Sequence, residues 1–160
     1  MNKLYPLNLN DMKVRIKKLQ ENAVMPRKAH DDDAGFDLVA TSREFGDNGC
    51  VIYGTGLAFE IPQGYVGLVF PRSSIANRDI VLSNSVGVID SGYRGEVMMK
   101  FKPPYLFDVS KFGLSSMRVY EIGERIGQII IIPYPQVEFI VTESLSVTER
   151  GTGGYGSTGL

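Results

Sequence analysis

The chain contains one cysteine, one histidine and no tryptophan in 160 residues. Cys50 therefore has no partner for an internal disulfide. His30 sits beside Asp31, Asp32 and Asp33 with no second His or Cys at ligand spacing, which argues against a zinc centre and leaves it in a surface loop. Basic charge is not in excess: 17 Lys and Arg against 18 Asp and Glu give a formal net charge of -1 and a pI near 5.8. A broad nucleic-acid surface needs clustered positive charge, so that class is excluded, while a small anionic ligand is not. No apolar run approaches the length of a membrane span or a signal peptide, and the expectation is an intracellular, cytoplasmic protein. A sustained helical period, an internal repeat and the Gly-Lys-Ser/Thr signature of a Walker loop are also missing.

What is present is a composition of 43% hydrophobic residues in a length suited to a single domain. Met12, Val14 and Ile16 alternate with Lys13, Arg15 and Lys17, the period of a strand with one wet face. Ala34 to Ala40 reads as a second strand, with Asp37 between Phe36 and Leu38; a carboxylate so placed needs a partner, because burying it alone is expensive. Gly54 to Pro62 and Tyr65 to Phe70 read as a hairpin closed by Pro62-Gln63-Gly64, with Leu57, Phe59 and Ile61 on one face. Pro71 to Arg78 breaks the alternation, and Ser73 or Ser74 is expected to cap a short helical turn whose outward N–H groups favour an anion. Glu96 to Lys102 is a strand stopped by Pro103-Pro104. The stretch from Tyr105 to Met117 is too apolar for a solvated linker and reads as an ordered excursion. Ile129 to Ile132 forms a strand apolar on both faces, whose second cover is expected from another subunit, and Gln136 to Val141 supplies a further strand. The class is all-β, a sandwich or barrel.

Two stretches carry candidate chemistry. From Asn84 to Val97 two extended runs flank Asp90-Ser91-Gly92, which predicts a hairpin with one carboxylate and one aromatic, Tyr93, at its bend. Three glycines in it, Gly87, Gly92 and Gly95, let a ligand approach backbone N–H and C=O groups, so the hairpin suits a nucleobase edge; an ordinary surface turn is the other reading. From Arg150 to Leu160, five glycines are interleaved with Arg150, Tyr155 and hydroxyls such as Ser157. Glycine content alone predicts an unstructured tail, whereas the interleaved groups suit a lid over a planar anionic ligand.

Ala34-Gly35-Phe36-Asp37-Leu38, Pro71-Arg72-Ser73-Ser74, Asn84 through Gly95, Gly123-Glu124-Arg125-Ile126-Gly127-Gln128 and Arg150 through Gly159 together resemble, in order and spacing, the five motifs of the homotrimeric dUTPase family. The resemblance implies a distorted β-barrel or jelly roll with three active sites at subunit junctions. It implies hydrolysis of dUTP to dUMP and pyrophosphate by water attack on the α-phosphorus, which keeps uracil out of DNA and supplies dUMP for thymidylate synthesis. Asp90 would orient and deprotonate the water. Arg72, Ser73, Ser74 and Gln128 match phosphate-contacting positions; Asn84, Gly87, Val88, Ile89 and Met98 would line the uracil-reading hairpin. Tyr93 would pack on the deoxyribose, Arg150 would reach the γ-phosphate, Tyr155 would stack on uracil, and Gly156 and Ser157 would close over the phosphates. Mg²⁺ would be held by the triphosphate with no direct protein ligand, Asp37 holding either Arg72 or a metal-bound water.

The same resemblance divides the chain into residues 1–11, an N-terminal extension of undetermined origin, a β domain over 12–149 and a C-terminal arm over 150–160 that closes a neighbouring subunit's site. The sequence departs from the family pattern at Tyr155, where Phe is usual, at Gly127, where Ala is usual, and in the long return from Pro103 to Ile122, which is a candidate surface for a protein partner. A dCTP deaminase of the same superfamily would carry a Glu on the strand after the hairpin. Val97-Met98-Met99-Lys100-Phe101 has none. A binding or regulatory protein that keeps the fold without turnover is the rival from another class.

Overall fold

The computed structural model describes residues 12–46, 49–104 and 117–154. Ten strands form antiparallel sheets among them: β1 (Arg15–Lys18), β2 (Phe36–Val39), β3 (Ser42–Phe45), β4 (Val51–Gly54), β5 (Leu57–Glu60), β6 (Tyr65–Phe70), β7 (Val81–Leu82), β8 (Gly87–Ile89), β9 (Met98–Lys102) and β10 (Arg125–Pro133). One four-stranded sheet runs β2-β10-β6-β8, the other β3-β4-β9-β7, and β1 pairs with β5 as a ribbon. This is the all-β, jelly-roll class, two sheets closing on one core. The helical content among the described residues is 3₁₀ in character, the longest piece being Ser73–Asn77.

The core follows from alternation on the strands. Val51 and Tyr53 of β4, Leu57 and Phe59 of β5, and Met99 and Phe101 of β9 are buried, with Leu38, Ile126 and Ile129 arriving from the other sheet. Tyr53, Phe101 and Tyr120 pack as an aromatic triad with ring centroids 5.7 to 6.2 Å apart, two of the pairs edge-on. Burial pushes the Tyr53 phenol up to about 12, its hydroxyl donating to the backbone oxygen of Tyr120 at 2.8 Å.

Seven of the ten strands lie where the sequence suggests them, β3, β4 and β7 are not anticipated, and four local expectations are overturned. Gly54–Pro62 and Tyr65–Phe70 do not form a hairpin: β5 pairs with β1, and β6 pairs with β10 and β8. The bend at Pro62 does close, with Tyr65 N donating to Pro62 O at 3.1 Å, yet it passes the chain between sheets instead of folding it back. The same holds for the Asn84–Val97 stretch. Its turn is present, Tyr93 N donating to Asp90 O at 3.0 Å, but β8 joins β6 while β9 joins β4 and β7. Neither serine caps the 3₁₀ piece; the N-cap position belongs to Arg72, which makes no capping side-chain bond.

Gln136 to Val141 is not a strand: it pairs with no sheet among the described residues, and Phe139 is 94% and Val141 100% exposed. The isoleucine run behaves as its alternation requires. Ile129 is buried, Ile131 packs against the core, and Ile130 and Ile132 face outward, half-buried and exposed. Residues 1–11, most of the Pro103–Ile122 return and Tyr155, Gly156 and Ser157 lie outside the described residues.

Candidate active site

The first cluster is built by pairing across three neighbouring strands. β10 lies between β2 and β6, and Gln128 sits opposite Asp37 on one side and Phe70 on the other. After Phe70 the chain leaves the sheet through Pro71, and Arg72 returns over it, its Nε donating to Asp37 Oδ1 at 2.7 Å. The partner demanded by a carboxylate between Phe36 and Leu38 is therefore Arg72.

A second arginine takes the other oxygen, Arg125 Nη1 donating to Asp37 Oδ2 at 3.0 Å. Arg125 reaches this face because of a bulge. With Gln128 opposite Asp37, a regular ladder would put residue 125 opposite residue 40 and turn its side chain away from Asp37. The register instead slips between Arg125 and Gly127, so that Arg125 stands opposite Val39, on the same face as Asp37. Gln128 is seated by Nε2 donating to Pro71 O at 3.4 Å, and a methyl group on Gly35 would collide with its amide oxygen. Asp33, Asp37, Arg72, Ser73, Gln128 and Ile130 line a cleft of 320 Å³. One guanidinium group held by Asp37, a hydroxyl and an amide suit a phosphate chain; Arg125 does not line this cleft.

A second cleft of 270 Å³ is lined by Val88, Ile89, Asp90, Tyr93, Glu96 and Met98. β8 is the edge strand of its sheet, so its outward backbone groups have no sheet partner among the described residues and are free to pair with a ligand edge. Asn84 lies in the bend that leads into β8; the next residue, Ser85, takes φ 61°, a left-handed conformation that costs a non-glycine residue about 1 kcal/mol and is held by Ser85 N donating to Leu82 O at 3.2 Å. At the far end of β8, Asp90 is exposed and its carboxylate accepts no hydrogen bond from another described residue. The turn beneath it is fixed by Arg94 Nη1 donating to Ser91 O at 2.6 Å and by Tyr93 Oη donating to Glu96 O at 3.0 Å. Gly95 is required there, since a Cβ would strike the Tyr93 ring.

The two clefts share no residue. Ile89 pairs with Gly67 near the start of β6, whereas Arg72 follows the end of β6. Asp90 is level with Val66 of β6, whereas the Arg72 guanidinium is held at Asp37, level with Phe70 and three strands across from β8; four strand rises and three strand spacings separate them by on the order of 20 Å. Arg150 lines neither cleft; its Nε donates to Gly153 O at 3.0 Å within its own turn. Among the described residues no three His, Cys, Asp or Glu side chains converge on one point, and both Asp37 oxygens already accept from arginine.

Residues 21–159 match the model of the dUTPase family. The chain is 41% identical over 152 residues to the deoxyuridine 5'-triphosphate nucleotidohydrolase of Nautilia profundicola, covering 92% of this chain and 99% of that one. Of solved structures, the Staphylococcus bacteriophage 80alpha dUTPase with dUPNHPP superposes with a TM-score of 0.74 at 29% identity, covering 92% of this chain and 99% of that one. A dUTPase mutant from phage phi11 of S. aureus, in which a structural Mg(II) ion is described, gives a TM-score of 0.66 at 27% identity over 83% of this chain and 98% of its own. Fold, ordered motifs and sequence agree over nearly the whole length, and the chain belongs to the dUTPase family.

Proposed function

We infer that the chain hydrolyses dUTP to dUMP and pyrophosphate as a dUTP diphosphatase, at sites that no single copy completes. The observation that carries the composite site is the separation of Asp90 from the Arg72 guanidinium across the sheet, too long for both to serve the same α-phosphorus from one chain. A second copy closes that gap if its Asp90 cleft faces the Arg72 cleft of the first, and the family's trimer is the assembly proposed. The exposed apolar side chains of Val137, Phe139, Val141, Leu145 and Val147 support it, since a neighbouring copy can bury them.

In such a site the edge of β8 would read uracil through backbone groups, with Asn84, Gly87, Val88, Ile89 and Met98 around the ring. Cytosine reverses the donor and acceptor order at that edge and would leave backbone groups unpaired, a strong basis for rejection. Tyr93, its hydroxyl tied to Glu96 O, would present the ring face to the sugar. Arg72, Ser73, Ser74 and Gln128 would hold phosphate oxygens, and Arg150, Tyr155, Gly156 and Ser157 from an arm would cover nucleotide and phosphates. Asp90 would accept the proton of the attacking water at its carboxylate, exposed in one subunit and enclosed in the assembly. The positive groups around the phosphates would meet the charge that develops on them. Mg²⁺ bound by the triphosphate would neutralise part of the same charge. We place this activity in the cytoplasm; no helix among the described residues is long and apolar enough to cross a membrane. The Pro103–Ile122 return is proposed as a surface for a protein partner.

The test mixes two inactive chains. Asp90→Asn and a chain truncated after Glu149 should each lose at least about two orders of magnitude in kcat, the scale of a lost general base. Co-refolded, they should regain pyrophosphate release from dUTP, at a mass near three times 17.7 kDa. Absence of recovery from a correctly sized hybrid would show that each site is built within one chain. Ammonia from dCTP without pyrophosphate from dUTP would favour the deaminase, and binding without either product a regulatory protein.

A further inference from the structure

Tyr120 lies outside both clefts and is 1% exposed. Its ring is fixed on every side: edge-on to Tyr53, tilted against Phe101, and covered by the Arg78 guanidinium 4.6 Å from the ring centroid. Its main chain is fixed as well, because its backbone oxygen accepts from Tyr53 Oη at 2.8 Å and from Arg43 Nη1 at 2.9 Å. A ring held this firmly places its hydroxyl at one point, and a buried phenol needs a partner there. That partner is Ser74, whose Oγ lies 3.5 Å from Tyr120 Oη. No other described residue bonds the Tyr120 hydroxyl.

Ser74 belongs to the 3₁₀ turn Ser73–Asn77 and follows Ser73, which lines the Arg72 cleft; Ser74 itself is half-buried and outside that lining. A serine hydroxyl carries one proton and two acceptor positions and rotates freely. If Tyr120 donates to Ser74 Oγ, the serine proton is released to point at an anion in the cleft. If Ser74 donates to Tyr120, that proton is withdrawn from the cleft. Either oxygen can donate at this contact; the phenol is the more acidic of the two hydroxyls and has no other acceptor among the described residues, which favours Tyr120 as the donor. The chain of two hydrogen bonds, phenol to serine and serine to phosphate, also polarises in one direction and strengthens its outer member.

We propose that Tyr120 is a positioning residue for the phosphate site, its buried hydroxyl fixing the Ser74 hydroxyl as a donor toward the substrate's phosphate oxygens. The role rests on the dUTPase reading of the Arg72 cleft and adds to it a residue from the return that precedes β10. Tyr120 touches no substrate and acts only through Ser74.

The test is a double-mutant cycle of Tyr120→Phe and Ser74→Ala, read by dUTP kinetics, affinity for a non-hydrolysable dUTP analogue and thermal midpoint. Tyr120→Phe keeps the ring, and with it the contacts to Tyr53, Phe101 and Arg78, so its midpoint should stay close to wild type. Its kcat/KM should fall about two- to threefold, the lower end of one neutral hydrogen bond, as suits a long contact. In the Ser74→Ala background the same change should have no further effect, because the group it orients is gone. Additive losses, or kinetics of Tyr120→Phe equal to wild type while Ser74→Ala is impaired, would overturn the role of Tyr120 alone. A wild-type chain inactive on dUTP, or a Ser74→Ala variant as active as wild type, would overturn the site reading beneath it, and the proposal with it.

Discussion

Replacing Asp37 with Asn tests the phosphate cleft at the point on which it is built. The side chain is 15% exposed, Arg72 is 24% and Arg125 52%, so the two halves of the fork differ in worth. The Arg72 half is a short, part-buried, charge-assisted bond, a class that contributes about 1.5–3 kcal/mol. The Arg125 half lies largely in water and should contribute less than about 1 kcal/mol, most of it screened by salt. Asn preserves the shape and one acceptor, enough for Arg72 or Arg125 but not both, and removes the charge from each. The expected loss is about 2 kcal/mol, a fall of several degrees in Tm for a domain of this size. Activity should suffer more than stability. An Arg72 free to rotate loses the same phosphate contact in ground and transition states, so the loss should appear mainly as a higher KM, with kcat/KM down at least tenfold. Thermal unfolding and dUTP kinetics at low and high salt, with Arg125→Met beside Asp37→Asn, check both halves. Arg125→Met should cost little and nothing measurable at high salt. Should Asp37→Asn match wild type in Tm and KM, or should Arg125→Met cost as much as Asp37→Asn at high salt, the fork is not what seats Arg72.

Gly35→Ala places a methyl group against the Gln128 amide oxygen, and because that amide is the far end of a flexible side chain, it should swing out of the cleft and give up its bond to Pro71 O. KM for dUTP should rise severalfold with Tm nearly unchanged; a normal KM would remove Gln128 from the phosphate contacts. Tyr53→Phe tests the buried phenol through alkaline pH. With the folded phenol at about 12 and an unfolded one near 10, the unfolded chain gives up its proton first. The stabilisation is therefore complete below pH 10 and is lost as pH rises toward 12, in all roughly 3 kcal/mol. The fall of Tm over that window should be steeper for wild type than for Tyr53→Phe, and equal slopes would refute it.

Most strand positions were legible because alternation is local, although β3, β4 and β7 went unread; strand partners were not legible. Leu57, Phe59 and Ile61 could be put on one face from the sequence, yet β5 found β1 about forty residues upstream, and β6 found β10 about sixty residues downstream. Pro62-Gln63-Gly64 looks the same in a hairpin and in a chain crossing between sheets, because turn chemistry records the bend and not which edge lies open beyond it. The turn at Asp90 misled in the same way, while the chemistry it carries stayed readable. For Asp37 the need for a partner could be argued from its neighbours, and Arg72 met it. Arg125 could not be assigned, since its face is set by a one-residue bulge that no residue type announces. Tyr120 was hidden for another reason: from sequence it is one more apolar residue before a strand, and only packing shows where its hydroxyl ends.

The failed expectation of a strand at Gln136–Val141 and the separation of Asp90 from Arg72 have one physical origin. Val137, Phe139 and Val141 alternate as a strand should, so the sequence signal was genuine, but the segment pairs with no sheet edge of its own chain among the described residues. Burying a large aliphatic or aromatic side chain is worth about 1.5–3 kcal/mol. A segment with Phe139, Ile140, Val141, Leu145 and Val147 all at least 79% exposed therefore gains more from a neighbouring copy than from anything its own chain provides. Docking this segment on another copy would also carry Arg150, six residues beyond Ser144, across to that copy's clefts. The contact that hides the apolar residues would then be the one that delivers the arm, and assembly and completion of the site would be a single event.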